Sequence, residues 1–96
     1  MDLEETLKSR REESLRVTAK YGARNVRVFG SVVRGEADEG SDLDLLVELE
    51  PGATLLSHSA MIRELEGLLG CGVDVVSERG LRERIRERVL QEAVPL

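Results

Sequence analysis

Gly30-Ser31-Val32-Val33-Arg34-Gly35 and, after a polar spacer, Ser41-Asp42-Leu43-Asp44-Leu45-Leu46-Val47 are the two stretches that set the architecture. Side chains of a strand alternate between its faces with a rise of about 3.3 Å per residue, so the carboxylates of Asp42 and Asp44 leave one face about 6.6 Å apart. Oxygen donors placed in this way suit hard divalent cations such as Mg²⁺. A two-metal site, with ions about 3.5–4 Å apart, draws several such carboxylates from neighbouring backbone positions. The same alternation puts Leu43, Leu45 and Val47 on one face and Asp42, Asp44 and Leu46 on the other. Apolar residues on both faces mean a strand covered, at least in part, on both sides.

Upstream, Asn25 to Phe29 reads as a short strand that Gly30-Ser31 ends with a tight strand-to-helix turn, and Ser31 to Arg34 begins a short helix. Glycine lets backbone approach an anion closely, and the N–H groups that follow, with the Ser31 hydroxyl, are donors for phosphate oxygens. Arg34 has two readings: it reaches phosphate, or it bridges to an acidic neighbour and stiffens the loop. The spacer carries Glu36, Asp38 and Glu39, whose charge opposes a polyphosphate unless those side chains turn away.

Downstream, Leu55 to Leu69 has Leu55, Ile62, Leu65 and Leu69 on one helical face, and Gly70 and Gly72 mark its end. Val73-Asp74-Val75-Val76 is a third strand. A carboxylate between apolar strand residues is normally excluded unless it is paired, hydrogen-bonded or metal-bound. If this strand lies beside the second, Asp74 completes a cluster of three carboxylates, whose mutual repulsion a divalent ion reverses. A last helix, from about Gly80 to Gln91, has Leu81, Ile85 and Val89 inside; its arginine-rich exterior is a solvated face laced with i,i+4 pairs and the natural docking surface for a partner. At the other end, Asp2 to Tyr21 reads as one amphipathic helix, with Leu3, Leu7, Leu15 and Ala19 on its apolar side.

At 96 residues, the chain is expected to form one domain over 1–96, with no second lobe to hold an acceptor. A net charge of −5 disfavours gripping free nucleic acid through its phosphates. The single cysteine, Cys71, excludes an internal disulfide or a cysteine-rich zinc site; together with an N-terminus unlike a signal peptide and no long apolar run, this points to the cytoplasm. His58, Cys71 and Tyr21 are read as structural: a packed histidine, a small residue at a tight turn, and a helix-end packing residue.

Taken together, Gly30-Ser31-x-x-Arg34-Gly35, Ser41-Asp42-x-Asp44-Leu45 and a distant Asp74 in a strand resemble the DNA polymerase β-like nucleotidyltransferase superfamily, and within it the minimal nucleotidyltransferase branch. The resemblance covers essentially the whole chain. It implies an α/β (α+β) nucleotidyltransferase fold: a small, mixed three-stranded sheet flanked by about four helices, in the order α-β-α-β-α-β-α. It also implies that Asp42 and Asp44 bind two Mg²⁺, that Asp74 contacts one of them and assists in deprotonating an acceptor hydroxyl, and that Gly30 and Ser31, with Arg34, hold the nucleoside triphosphate. AMP from ATP would pass to a hydroxyl of a partner macromolecule. In the minimal branch, the usual companion is a HEPN-type helical toxin, which the nucleotidyltransferase adenylylates as its antitoxin. The alternative of a different class is a non-catalytic protein that neutralises its partner by stoichiometric binding.

Overall fold

The computed structural model describes residues 2–38 and 40–96. Its elements are α1 (Leu3–Ser9), α2 (Arg11–Lys20), β1 (Ala23–Phe29), α3 (Ser31–Arg34), β2 (Leu43–Leu49), α4 (Leu55–Leu69), β3 (Val73–Ser77), a 3₁₀ turn (Glu78–Gly80), α5 (Glu83–Glu92) and β4 (Val94–Pro95). The strands form one mixed sheet in the order β3-β2-β1-β4, with β2 parallel to β3 and antiparallel to β1. This is the expected α+β class, with one strand more than expected. Val94–Pro95 pairs with Arg27 and Val28 of β1, and a two-residue strand containing proline gives almost no periodic signal.

The expected first helix is two. At Arg10, φ is −109° and ψ is 15°, so that residue ends α1 and begins α2. Two hydroxyls of α1 turn back onto its own backbone, Thr6 Oγ1 to the Asp2 carbonyl at 3.0 Å and Ser9 Oγ to the Thr6 carbonyl at 3.0 Å, an arrangement that bends helices. The buried face of α2 is Ser14 and Thr18, while Ala19 is exposed. Thr18 Oγ1 is satisfied by the Leu15 carbonyl at 2.9 Å, whereas the buried Ser14 Oγ has no hydrogen-bond partner among the described residues.

The main core lies on the helix-covered face of the sheet, where Val26 and Val28 of β1, Leu43, Leu45 and Val47 of β2, and Val73 and Val75 of β3 meet Met61, Leu65 and Leu69 of α4 and Leu7 of α1. Leu46, on the opposite face, is also fully buried, so β2 is covered on both sides as its pattern requires. Leu55 departs from expectation. It sits in the first turn of α4, beyond the edge of the core, and is 83% exposed.

The outer edge of the sheet at β3 is closed by side chains of α4. Glu66 Oε2 accepts the Val73 N–H at 3.2 Å, and His58 Nε2 donates to the Val75 carbonyl at 2.9 Å. Open strand edges invite pairing, and α4 blunts this one. His58 is thus structural, as read. Among the described residues, no helix is long and apolar enough to cross a membrane.

Candidate functional site

At the end of β1 the chain turns through Gly30, whose φ of +83° and ψ of −152° lie outside the range of ordinary L-residues, and enters α3. A Cβ at Gly30 would overlap Asp44 Oδ2 and sit 3.0 Å from its Cγ, so Gly30 is also the floor on which the Asp44 carboxylate rests. That contact follows from the register, in which Phe29 pairs with Asp44. On the other side of β2, Asp44 pairs in parallel register with Asp74 of β3, so the two carboxylates emerge side by side from one face. Asp42 lies just ahead of β2, where the Leu43 N–H donates to the Gly72 carbonyl at 2.9 Å. Its carboxylate leans on Gly72, which a Cβ there would prevent.

The conditional placement of Asp74 is therefore met, and all three aspartates share one neighbourhood. Asp44 is partly buried, whereas Asp42 and Asp74 are exposed. Burial raises the Asp44 carboxyl above its ordinary value, and the charges of Asp74 and Asp42 push it further; Arg34 opposes them. Among the described residues, no donor hydrogen-bonds to any of the three carboxylates. Nor, among those residues, do three His, Cys, Asp or Glu side chains already converge as a finished metal cage. The donor set is nevertheless carboxylate in all three members and rests over two glycines, Gly30 and Gly72. It fits a hard divalent cation.

A titration tests this fit. Because the folded-state pKa of Asp44 is raised, the folded protein holds that proton more tightly than the unfolded chain, and its stability falls as pH climbs from the usual carboxylate range through the folded value. A cation recovers that loss. At pH 7.5, Mg²⁺ or Mn²⁺ at ten times its Kd is expected to stabilise the protein by about 1.4 kcal/mol, raising the melting temperature by roughly 5–10 °C. The gain should disappear near pH 4 and in Asp44→Asn. Equal melting curves with EDTA and with cation at pH 7.5 would contradict it.

Of the two readings of Arg34, the structure shows the bridge: its guanidinium pairs with Glu36 at 3.2 Å and with Glu92 at 2.7 Å. The acidic spacer also turns upon itself, with Asp38 Oδ1 accepting the Gly40 N–H at 2.9 Å and the Ser41 hydroxyl at 3.2 Å. Glu39 lies outside the described residues. Ser31 opens α3 half-buried beside Gly30. A cavity of about 490 Å³ opens next to this loop, lined by Leu3, Val32, Gly35, Ser41, Leu69 and Cys71 among others. None of the three aspartates lines it.

Glu92 was not singled out by its sequence context. It ends α5, and its two oxygens take the Gly30 N–H at 3.2 Å and the Arg34 guanidinium at 2.7 Å. Both partners lie about sixty residues away, and nothing in a charged helix end marks such a contact. Cys71 and Tyr21 behave as read. Burial, then the charges of Asp42 and Glu66, pushes the Cys71 thiol up and keeps it a poor nucleophile. The Tyr21 hydroxyl donates to Glu64 at 2.7 Å. The arginines of α5 differ from expectation. Among the described residues, the α5 arginine that forms an ion pair is Arg86, and it reaches Glu78 of the 3₁₀ turn at 3.8 Å, which also meets Arg27 at 2.9 Å, rather than a neighbour on its own helix.

Comparison with known proteins agrees with this geometry. The profile of the family described as nucleotidyltransferase domain matches residues 4–96. The chain is 45% identical to the protein adenylyltransferase MntA of Thermococcus cleftensis, over 78% of this chain and 76% of that protein. It is 38% identical to a protein of Methanocaldococcus jannaschii assigned as a protein adenylyltransferase, over 81% and 84% of the two chains. A solved structure assigned as a minimal nucleotidyltransferase superposes with a TM-score of 0.88 at 64% identity, covering 100% of this chain and 97% of that one. A toxin–antitoxin crystal structure with AMP-PNP superposes at 0.75 and 17% identity, over 88% of this chain and 69% of that one, which is a likeness of fold.

Proposed function

The chain belongs to the nucleotidyltransferase domain family, and from that premise we propose that this enzyme transfers AMP from ATP to a hydroxyl on a partner protein, as the antitoxin of a pair whose toxin is a HEPN-type helical protein. The observation that carries the reading is the in-register pair Asp44–Asp74 on adjacent parallel strands, with Asp42 two residues upstream and Gly30 beneath. The named activity of MntA of Thermococcus cleftensis supports protein as the acceptor class, and the toxin–antitoxin structure with AMP-PNP supports the pairing and the nucleotide.

In this reading, Asp42 and Asp44, with Asp74, would hold two Mg²⁺, and that metal would supply neutralisation of charge on the triphosphate and on the departing pyrophosphate. Gly30, Ser31 and Arg34 bind the phosphates. Asp74, exposed on the outer strand, takes the proton of the incoming hydroxyl as its oxygen bonds to the α-phosphorus and the bond to pyrophosphate breaks. Asp44, half-buried and flanked by both other carboxylates, is the donor best placed to hold a cation against the reacting phosphate. The acceptor in this reading is a separate protein, which the named activity of the Thermococcus cleftensis relative supports. The single cysteine, Cys71, supports a reducing, cytoplasmic setting for this reading.

Purified protein incubated with α-phosphate-labelled ATP and Mg²⁺ in lysate of its source organism is expected to label one small protein, identifiable by mass. No labelled band with ATP, GTP, CTP or UTP would overturn the assignment.

A further inference from the structure

Gly30 is buried, and its N–H needs a partner when no substrate is present. Glu92 supplies it. One carboxylate oxygen accepts that N–H at 3.2 Å while the other accepts from the Arg34 guanidinium at 2.7 Å, and the Glu92 side chain is only 16% exposed. A carboxylate spanning a backbone N–H and a guanidinium imitates a phosphate: two anionic oxygens on one centre, held by charge-assisted hydrogen bonds. We infer that Glu92 is a resident competitor of the substrate's phosphates, occupying the Gly30 N–H and Arg34 and swinging out before a triphosphate engages them. The inference rests on the assignment of those two groups to the triphosphate made above.

The backbone around Glu92 makes this a side-chain event. The Ala93 N–H is bonded to the Val89 carbonyl at 2.9 Å, and Val94 pairs with Val28 of β1, so α5 and β4 stay in place while the Glu92 side chain rotates. Charge favours its departure. Asp42, Asp44, Asp74 and Glu36 already crowd this region, with Arg34 as the cation among them, and a fifth carboxylate cannot remain on Arg34 once phosphates arrive. Apparent affinity is then reduced by the fraction of molecules in which Glu92 has moved away.

Calorimetric titration of the full chain with MgATP, and separately with inorganic triphosphate, tests the inference in the wild type, Glu92→Gln and Glu92→Ala. The glutamine variant keeps the size of the side chain and removes its charge, so it carries the test even if alanine loosens α5. Both variants are expected to bind both ligands about tenfold more tightly. In an Arg34→Ala background, the same change at position 92 should gain much less, because the competed cation is gone. Equal or weaker binding by the Glu92 variants would overturn the competitor and make Glu92 a positioning residue for Arg34. Tighter triphosphate binding without any binding of ATP would uphold the competitor but sink the proposed transfer of AMP from ATP. Tight wild-type ATP binding that is indifferent to position 92 would do the reverse.

Discussion

Replacing Asp42 and Asp44 together by asparagine is expected to lower nucleotidyl transfer at least a thousandfold, about 4 kcal/mol of transition-state stabilisation, while the metal-free protein melts no earlier than the wild type. Both halves follow from the same geometry. The two carboxylates are the proposed metal donors, and an amide presents one neutral oxygen where a carboxylate presents two charged ones, too weak a ligand to gather cations against a triphosphate. In the folded protein, Asp44 is partly buried beside Asp42 and Asp74 with no hydrogen-bond donor of its own among the described residues, so its charge opposes folding and its removal costs nothing. Labelling of the partner and a thermal melt in EDTA, on the same preparation, read the two halves. Transfer retained at even a tenth of wild type would remove these residues from catalysis.

Alanine at Gly30 and alanine at Gly72 are expected to fail in different ways. At Gly30, the left-handed backbone alone costs about 1–2 kcal/mol for a residue with a Cβ. The new carbon also meets Asp44 at its Cγ (3.0 Å) and at its Cβ (3.3 Å), which is fixed to β2 and cannot rotate away. A total of roughly 2–4 kcal/mol lowers the melting temperature by about 10–20 °C, and transfer is lost with it. At Gly72, the backbone is not left-handed and the obstacle is only the carboxylate end of Asp42, with Cγ at 3.0 Å. Asp42 turns aside, the fold survives with a melting temperature near wild type, and transfer falls by about a hundredfold for want of one metal donor. Wild-type transfer by Gly72→Ala would mean that Asp42 does not need the position in which the structure holds it.

The site was largely readable from the chain because its parts sit on a strand with a strict period of two. Asp42 and Asp44 share a face by arithmetic, the burial of Leu46 follows from apolar residues on both faces, and Asp74 stands out as a charge among valines. What escaped depended on distance or on weak local signals. Nothing near Glu92 announces Gly30 or Arg34, since only the return of β4 along β1 brings the end of α5 to them. The break at Arg10 comes from hydroxyls that compete with the helix backbone, and the polar interior of α2, Ser14 and Thr18, leaves no apolar period to read. Leu55 kept the period of its helix but started it one turn before the core began.

The closure of β3 by Glu66 and His58 has a bearing on how an acceptor arrives. With the Val73 N–H and the Val75 carbonyl engaged by α4, the β3 rim is blunted as a template for an added strand, although Asp74 stands on that very strand. The acceptor of the proposed reaction would then bring its hydroxyl on a side chain reaching over the carboxylate face, not on a strand added beside β3, and selectivity would lie in which neighbour can hold one hydroxyl at that height above the sheet.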